Sequence, residues 1–134
     1  MSGTGTKEDP WVLRTPPRTS ELTMWRDDAA EPEQLVCQVG STNRTYDARI
    51  LDELPAWLRE QGDWVELGSA DEQKPAKDGT VEAWARSEGN PRGGWYGWRK
   101  GHRWRVWMSV PPLLEVLGLV ELDHNARNNR MRAR

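Results

Sequence analysis

The stretch GGWYGWRKGHRWRVWMS, residues 93–109, packs four tryptophans, a tyrosine and four Lys/Arg into seventeen positions. Its side chains alternate. Trp104, Val106, Met108 and Val110 fall on one face of an extended chain, and Arg103, Arg105, Trp107 and Ser109 on the other, as in a half-buried strand. Lys100-Gly101 offers a hairpin reversal, so residues 95–98 and 102–110 are expected to pair. Upstream, Val81, Ala83 and Ala85 alternate with Glu82, Trp84 and Arg86, which predicts a neighbouring strand. Trp84 and Arg86 would then share a sheet face with Arg103, Arg105 and Trp107.

Outward from this stretch the pattern is of short elements. Leu22 and Met24 oppose Glu21, Thr23 and Trp25; Leu35, Cys37 and Val39 repeat the alternation; Gly40-Ser41 permits a reversal and residues 42–46 return. These predict a β-meander. Ile50, Leu54, Trp57 and Leu58 follow helical spacing, with Pro55 near the start and Gly62 as a stop. Residues 64–67 suggest a short strand, and SADEQKPAKDG a polar loop. Pro111 and Pro112 open a second helix that Gly118 closes. Residues 119–124 and 129–133 make a C-terminal hairpin. The fold class expected is α+β, one domain over residues 20–134, a mostly antiparallel sheet with two short helices. Residues 1–19, with three prolines and no periodicity, read as a flexible N-terminal arm.

The totals narrow the function classes. The chain has 134 residues, 36% hydrophobic and 30% charged, with no apolar run near the ~20 residues that cross a bilayer. The single cysteine, Cys37, forms no internal disulfide, and the N-terminus lacks a secretory pattern, so a cytoplasmic location and no membrane partner are expected. Fifteen arginines beside four lysines and one isoleucine suggest the amino-acid bias of a GC-rich genome. The net charge is −2, unevenly spread: residues 1–85 carry nine Lys/Arg against seventeen Asp/Glu, residues 86–134 ten against four. Such asymmetry points either to a polyanion partner or to halves that attract each other.

No motif specifies chemistry. Two histidines and one cysteine without paired spacing argue against a structural zinc, and the glycines lack a phosphate-cradle pattern, so no metal and no cofactor are expected. Glu66, Asp71 and Glu72 near the long loop leave a small enzyme as a minor alternative.

The constellation left is basic and aromatic. Trp84, Arg86, Lys100, His102, Arg103, Arg105 and Trp107 on the predicted sheet face, with Arg127, Arg130 and Arg132 on the C-terminal hairpin, would offer rings for bases and guanidiniums for phosphates. DNA or RNA binding with weak sequence preference is therefore expected. The alternative is a protein-protein or homodimerisation surface, since Trp and Arg are common interface anchors. A third reading needs no ligand: Glu121 and Asp123 sit on the face that Arg130 and Arg132 would occupy across the last turn, so cross-strand pairing would consume half of that charge.

The runs REQGDWVELGSADEQKPAKDGTVEAWAR, GGWYG and PPLLEVLGLVELDHNARNNRMRA resemble a family of short uncharacterised bacterial proteins, over most of the chain after residue 20. The resemblance implies no activity and transfers no site residue.

Overall fold

The computed structural model describes residues 3–71, 73–98, 103–125 and 127–134. Lys100, His102 and Glu72 lie outside the described residues. Four strands open the chain: β1 (Trp11–Arg14), β2 (Glu21–Asp27), β3 (Gln34–Val39) and β4 (Thr42–Asp47). Then come α1 (Ile50–Gln61), β5 (Val65–Glu66), α2 (Val81–Arg86), β6 (Gly97–Trp98), α3 (Val110–Val116), β7 (Val120–Leu122) and β8 (Arg130–Ala133). Two antiparallel sheets result, one ordered β1-β2-β3-β4-β6 and one ordered β5-β8-β7. The molecule is an α+β domain, as the alternation predicts.

The meander forms because its apolar residues have period two. Leu22, Met24, Leu35, Cys37 and Tyr46 are buried on one face, where they join Leu54 and Leu58 of α1, Val81, Trp84 and Ala85 of α2, and Leu113 and Leu114 of α3 in a single core. Trp57 of α1 stacks on Trp84 at 5.3 Å, and Trp84 on Tyr96 at 5.1 Å, so three aromatic rings tie two helices to the approach to β6. Helix α1 ends at Gly62, whose φ of 71° is the left-handed turn a Cβ would resist, and its N–H donates to Leu58 O.

Three expectations are corrected. Residues 11–14 are not part of a flexible arm: Trp11 and Leu13 are buried, and β1 pairs with β2 from Trp11↔Met24 to Arg14↔Glu21. The short segment between Pro10 and Pro16 carries a two-residue period too brief to stand out.

Residues 81–86 are a helix and not a strand, which makes three helices where two were expected. Val81, Trp84 and Ala85 fit helical spacing as well as Val81, Ala83 and Ala85 fit a strand. The Thr80 side chain settles it locally by accepting the Ala83 N–H at 3.1 Å.

Residues 103–109 do not form the predicted hairpin. β6 pairs instead with β4, through Thr45↔Trp98 and Tyr46↔Gly97. The backbone of Trp104 lies against Gly97 so closely that a Cβ there would collide with the Trp104 carbonyl.

Candidate interaction surface

The reason residues 103–109 leave the strand path is a buried carboxylate. Glu82 is 0% exposed; its Oε1 accepts the backbone N–H groups of Val106 at 2.7 Å and Trp107 at 2.9 Å, and its Oε2 accepts Arg86 Nε at 2.8 Å. Burial pushes the Glu82 carboxyl up, while Arg86 and the two N–H groups pull it back toward the charged form. Arg86 uses its remaining donors on carbonyls of Lys74 (2.6 Å), Asp71 (2.7 Å) and Ala70 (3.3 Å). Trp107 Nε1 adds a bond to Ala70 O at 3.1 Å. One ion pair therefore pins the long polar loop to the turn before α3.

This geometry dissolves the predicted Trp/Arg face. Trp84 is 8% exposed inside the aromatic stack and the Arg86 side chain 9%, so neither is available to a ligand. Trp107 is half-buried against the loop, and Arg105, whose carbonyl takes the Tyr46 hydroxyl at 2.6 Å, belongs to an irregular segment rather than a pleat. Arg103 is exposed and lies over Trp95 at 5.5 Å, on whose ring Arg86 also rests at 4.4 Å.

In the C-terminal hairpin Arg130 binds Asp123 at 3.0 Å and Arg132 binds Glu121 at 3.0 Å, and both guanidiniums lie over Trp64. The carboxylate pairing expected across that hairpin is thus present. Arg127 is exposed at its turn.

Of the carboxylates of the enzyme alternative, Glu66 and Asp71 do not gather either, and Glu72 lies outside the described residues. Glu66 faces Lys77 at 3.5 Å in a hollow of about 350 Å³ that Asp63 and Asp78 also line, whereas Asp71 Oδ1 accepts Gln73 N–H within its own turn. Among the described residues no group of three or more His, Cys, Asp and Glu is arranged to hold a metal.

The surface that the fold does build lies elsewhere, on the face of the five-stranded sheet turned away from the core. Register puts Trp25, Val36 and Thr45 in one row across β2, β3 and β4, with the Trp98 position of β6 beside Thr45. Val12, Thr23, Gln38 and Asn43 form the next row.

Residues 4–8 and 10 make one wall. They are held where Arg26 N–H donates to Gly5 O at 2.9 Å and where Asp9 accepts the Thr4 amide and hydroxyl at 3.2 Å each. Gly5, at φ 85°, leaves no room for a Cβ against the Trp11 ring, so the wall and β1 are locked together.

Residues of the β2–β3 turn line the groove too, and its volume is about 1060 Å³. Its floor is Trp25 and Val36 beside Gln38, Asn43 and Thr45; its rim carries Lys7, Glu8, Arg26, Asp27, Asp28 and Glu33. Arg26 is held by both oxygens of Glu33, at 2.6 and 3.3 Å, which leaves one further cation against three carboxylates around the opening.

Half of this site follows from sequence alternation, which sets Trp25 opposite Leu22 and Met24. The wall is not legible in the sequence because residues 4–10 carry no period that would dock them.

The chain belongs to a family of unknown function, DUF6855, whose model matches residues 3–134. No curated protein and no solved structure matches it.

Proposed function

We propose that the chain is a binding domain that seats a cationic segment of a partner protein in the groove on the open face of the five-stranded sheet. The observation that carries this reading is the groove itself. A tryptophan and a valine lie in register at its floor, planar amides and a hydroxyl stand beside them, and acidic side chains outnumber basic ones at its rim. Apolar contact with Trp25 would supply affinity, and Glu8, Asp27 and Asp28 would select the sign of the partner and steer its approach.

The same rim disfavours phosphates, and Arg86, Arg130 and Arg132, three of the arginines expected to meet nucleic acid, hold Glu82, Asp123 and Glu121. The interaction-module alternative therefore fits the geometry better than a DNA- or RNA-binding face. No helix of the described chain is long and apolar enough to cross a membrane.

The test is a titration followed by amide NMR, with three probes: a short peptide alternating lysine and valine, its glutamate-valine counterpart, and a single-stranded oligothymidylate. The lysine peptide should shift Thr23, Trp25, Val36, Gln38 and Asn43, with affinity that falls as salt rises. Trp25→Ala should weaken it by about 2 kcal/mol, roughly thirtyfold. Shifts from the oligothymidylate around Arg103 and Arg127, with none from the lysine peptide at the groove, would overturn the proposal in favour of nucleic acid.

A further inference from the structure

His124 joins three parts of the chain that are remote in sequence. It follows β7 and packs between α3 and the β1–β2 turn. Its Nε2 lies 2.7 and 2.9 Å from the two carboxylate oxygens of Glu115 on α3. Its Nδ1 has two neighbours of opposite character: the Pro16 carbonyl at 3.1 Å, which only accepts, and Arg18 Nε at 3.3 Å, which only donates. The ring is one-quarter exposed at most, at 23%.

One nitrogen does not satisfy both neighbours at once. With a lone pair on Nδ1 the Arg18 N–H is bonded and the Pro16 carbonyl is not; with a proton on Nδ1 the carbonyl is bonded and Arg18 faces a cation. The site therefore has two alternative hydrogen-bond patterns that differ by one proton.

Backbone conformation shows that the contact is held from both sides. Arg18 at φ 63° and His124 at φ 53° both occupy the left-handed region, which costs a non-glycine residue about 1 kcal/mol. Two such residues face each other here. Strain of this kind persists where the surrounding packing imposes it, and it collects at switches and binding sites.

The charged groups around the ring come from each packed element. Glu115 is on α3 and also accepts Leu122 N–H at 3.3 Å; Arg18 is on the β1–β2 turn; Asp123, on the ring's own hairpin, is occupied by Arg130. With His124 neutral, the charges of Glu115 and Arg18 cancel. With His124 protonated, the ring and Glu115 cancel, and the Arg18 charge is left over.

We infer that His124 is a proton-operated latch between the β1–β2 turn and the C-terminal hairpin. In the neutral ring Nε2–H donates to Glu115 and Nδ1 accepts from Arg18. On protonation Nδ1–H donates to Pro16 O and the Arg18 guanidinium, already at the surface, loses its bond to the ring. Acidification therefore frees the Arg18 cation from the hairpin without breaking the anchor to Glu115. The inference does not rest on the groove or on its occupant.

The experiment follows the ring nitrogens of His124 and the Nε–H of Arg18 by ¹⁵N NMR on the full chain, from neutral to mildly acid pH. The neutral ring should show the tautomer protonated at Nε2, and the Arg18 Nε–H signal should be protected from exchange. As His124 titrates, Nδ1 should gain its proton and the Arg18 protection should be lost at the same midpoint.

Glu115→Gln, which keeps an acceptor for Nε2 and removes the charge that favours the protonated ring, should move that midpoint to lower pH. His124→Asn, a residue that tolerates the left-handed backbone, should make the Arg18 protection factor, the exchange rate relative to the intrinsic rate at each pH, constant across the range. The latch is overturned if Arg18 protection stays constant while His124 titrates, or if the neutral ring carries its proton on Nδ1.

Discussion

Glu82 shows how much one residue can decide. By composition it is one of twenty-one acidic side chains, and by alternation it belongs on an exposed strand face. In the fold it has no contact with water and accepts three hydrogen bonds, two from the backbone of residues 106 and 107. Removing it leaves the Arg86 guanidinium buried at 9% exposure without its counter-charge, and two amides without acceptors. Glu82→Ala should therefore cost about 3–5 kcal/mol, the range for breaking one side of a buried pair, measured by urea unfolding. A loss below about 1 kcal/mol, the ceiling for exposed pairs, would mean that Glu82 does not organise this region. Little in the local sequence marks the role, because only Arg86 is near, four positions on, and the two backbone partners of Glu82 lie twenty-four and twenty-five positions away.

At the scale of elements, the ones that were legible have periods long enough to be unambiguous or stops that do not depend on context. The meander β2–β4 and the twelve-residue helix α1 with Gly62 are of this kind. So is the β7–β8 hairpin, whose Glu121↔Arg132 register follows from placing its turn. Helix α2 was not legible. At six residues it is too short to be helical alone, and its apolar positions satisfy two periods at once. Its start depends on Thr80, so Thr80→Ala should destabilise the protein by about 1 kcal/mol. Thr80→Ser should keep most of that stability, as read in parallel denaturation curves. Equal curves for the alanine and serine variants would show that the cap contributes nothing.

At the scale of the whole molecule, one core encloses three groups that titrate in alkali. Burial pushes the Cys37 thiol up from 9.0 to about 12, with Arg44 and Ser109 opposing. Burial also raises the Tyr46 hydroxyl, and raises that of Tyr96, whose 2.6 Å bond to Glu53 adds to the effect. In each case the folded state holds its proton beyond the pH at which the unfolded chain releases it. The stability this represents is complete below about pH 9 and declines as pH rises through about 12. Urea midpoints between pH 8 and pH 11 should accordingly fall, and Cys37→Ser should flatten the first part of that fall; a level profile would contradict the burial argument.

Read by itself, the sequence determined the α+β class, the meander, the first and last helices, the C-terminal hairpin, and the opposition of Trp25 to the core, because each depends on neighbours within a few positions or across one turn. Only the tertiary structure decided where residues 11–14 and 97–98 pair, that residues 81–86 coil, and that Arg86 spends its donors on Glu82 and on loop carbonyls. Those outcomes depend on which distant groups a buried charge can reach, and local periodicity carries no information about that.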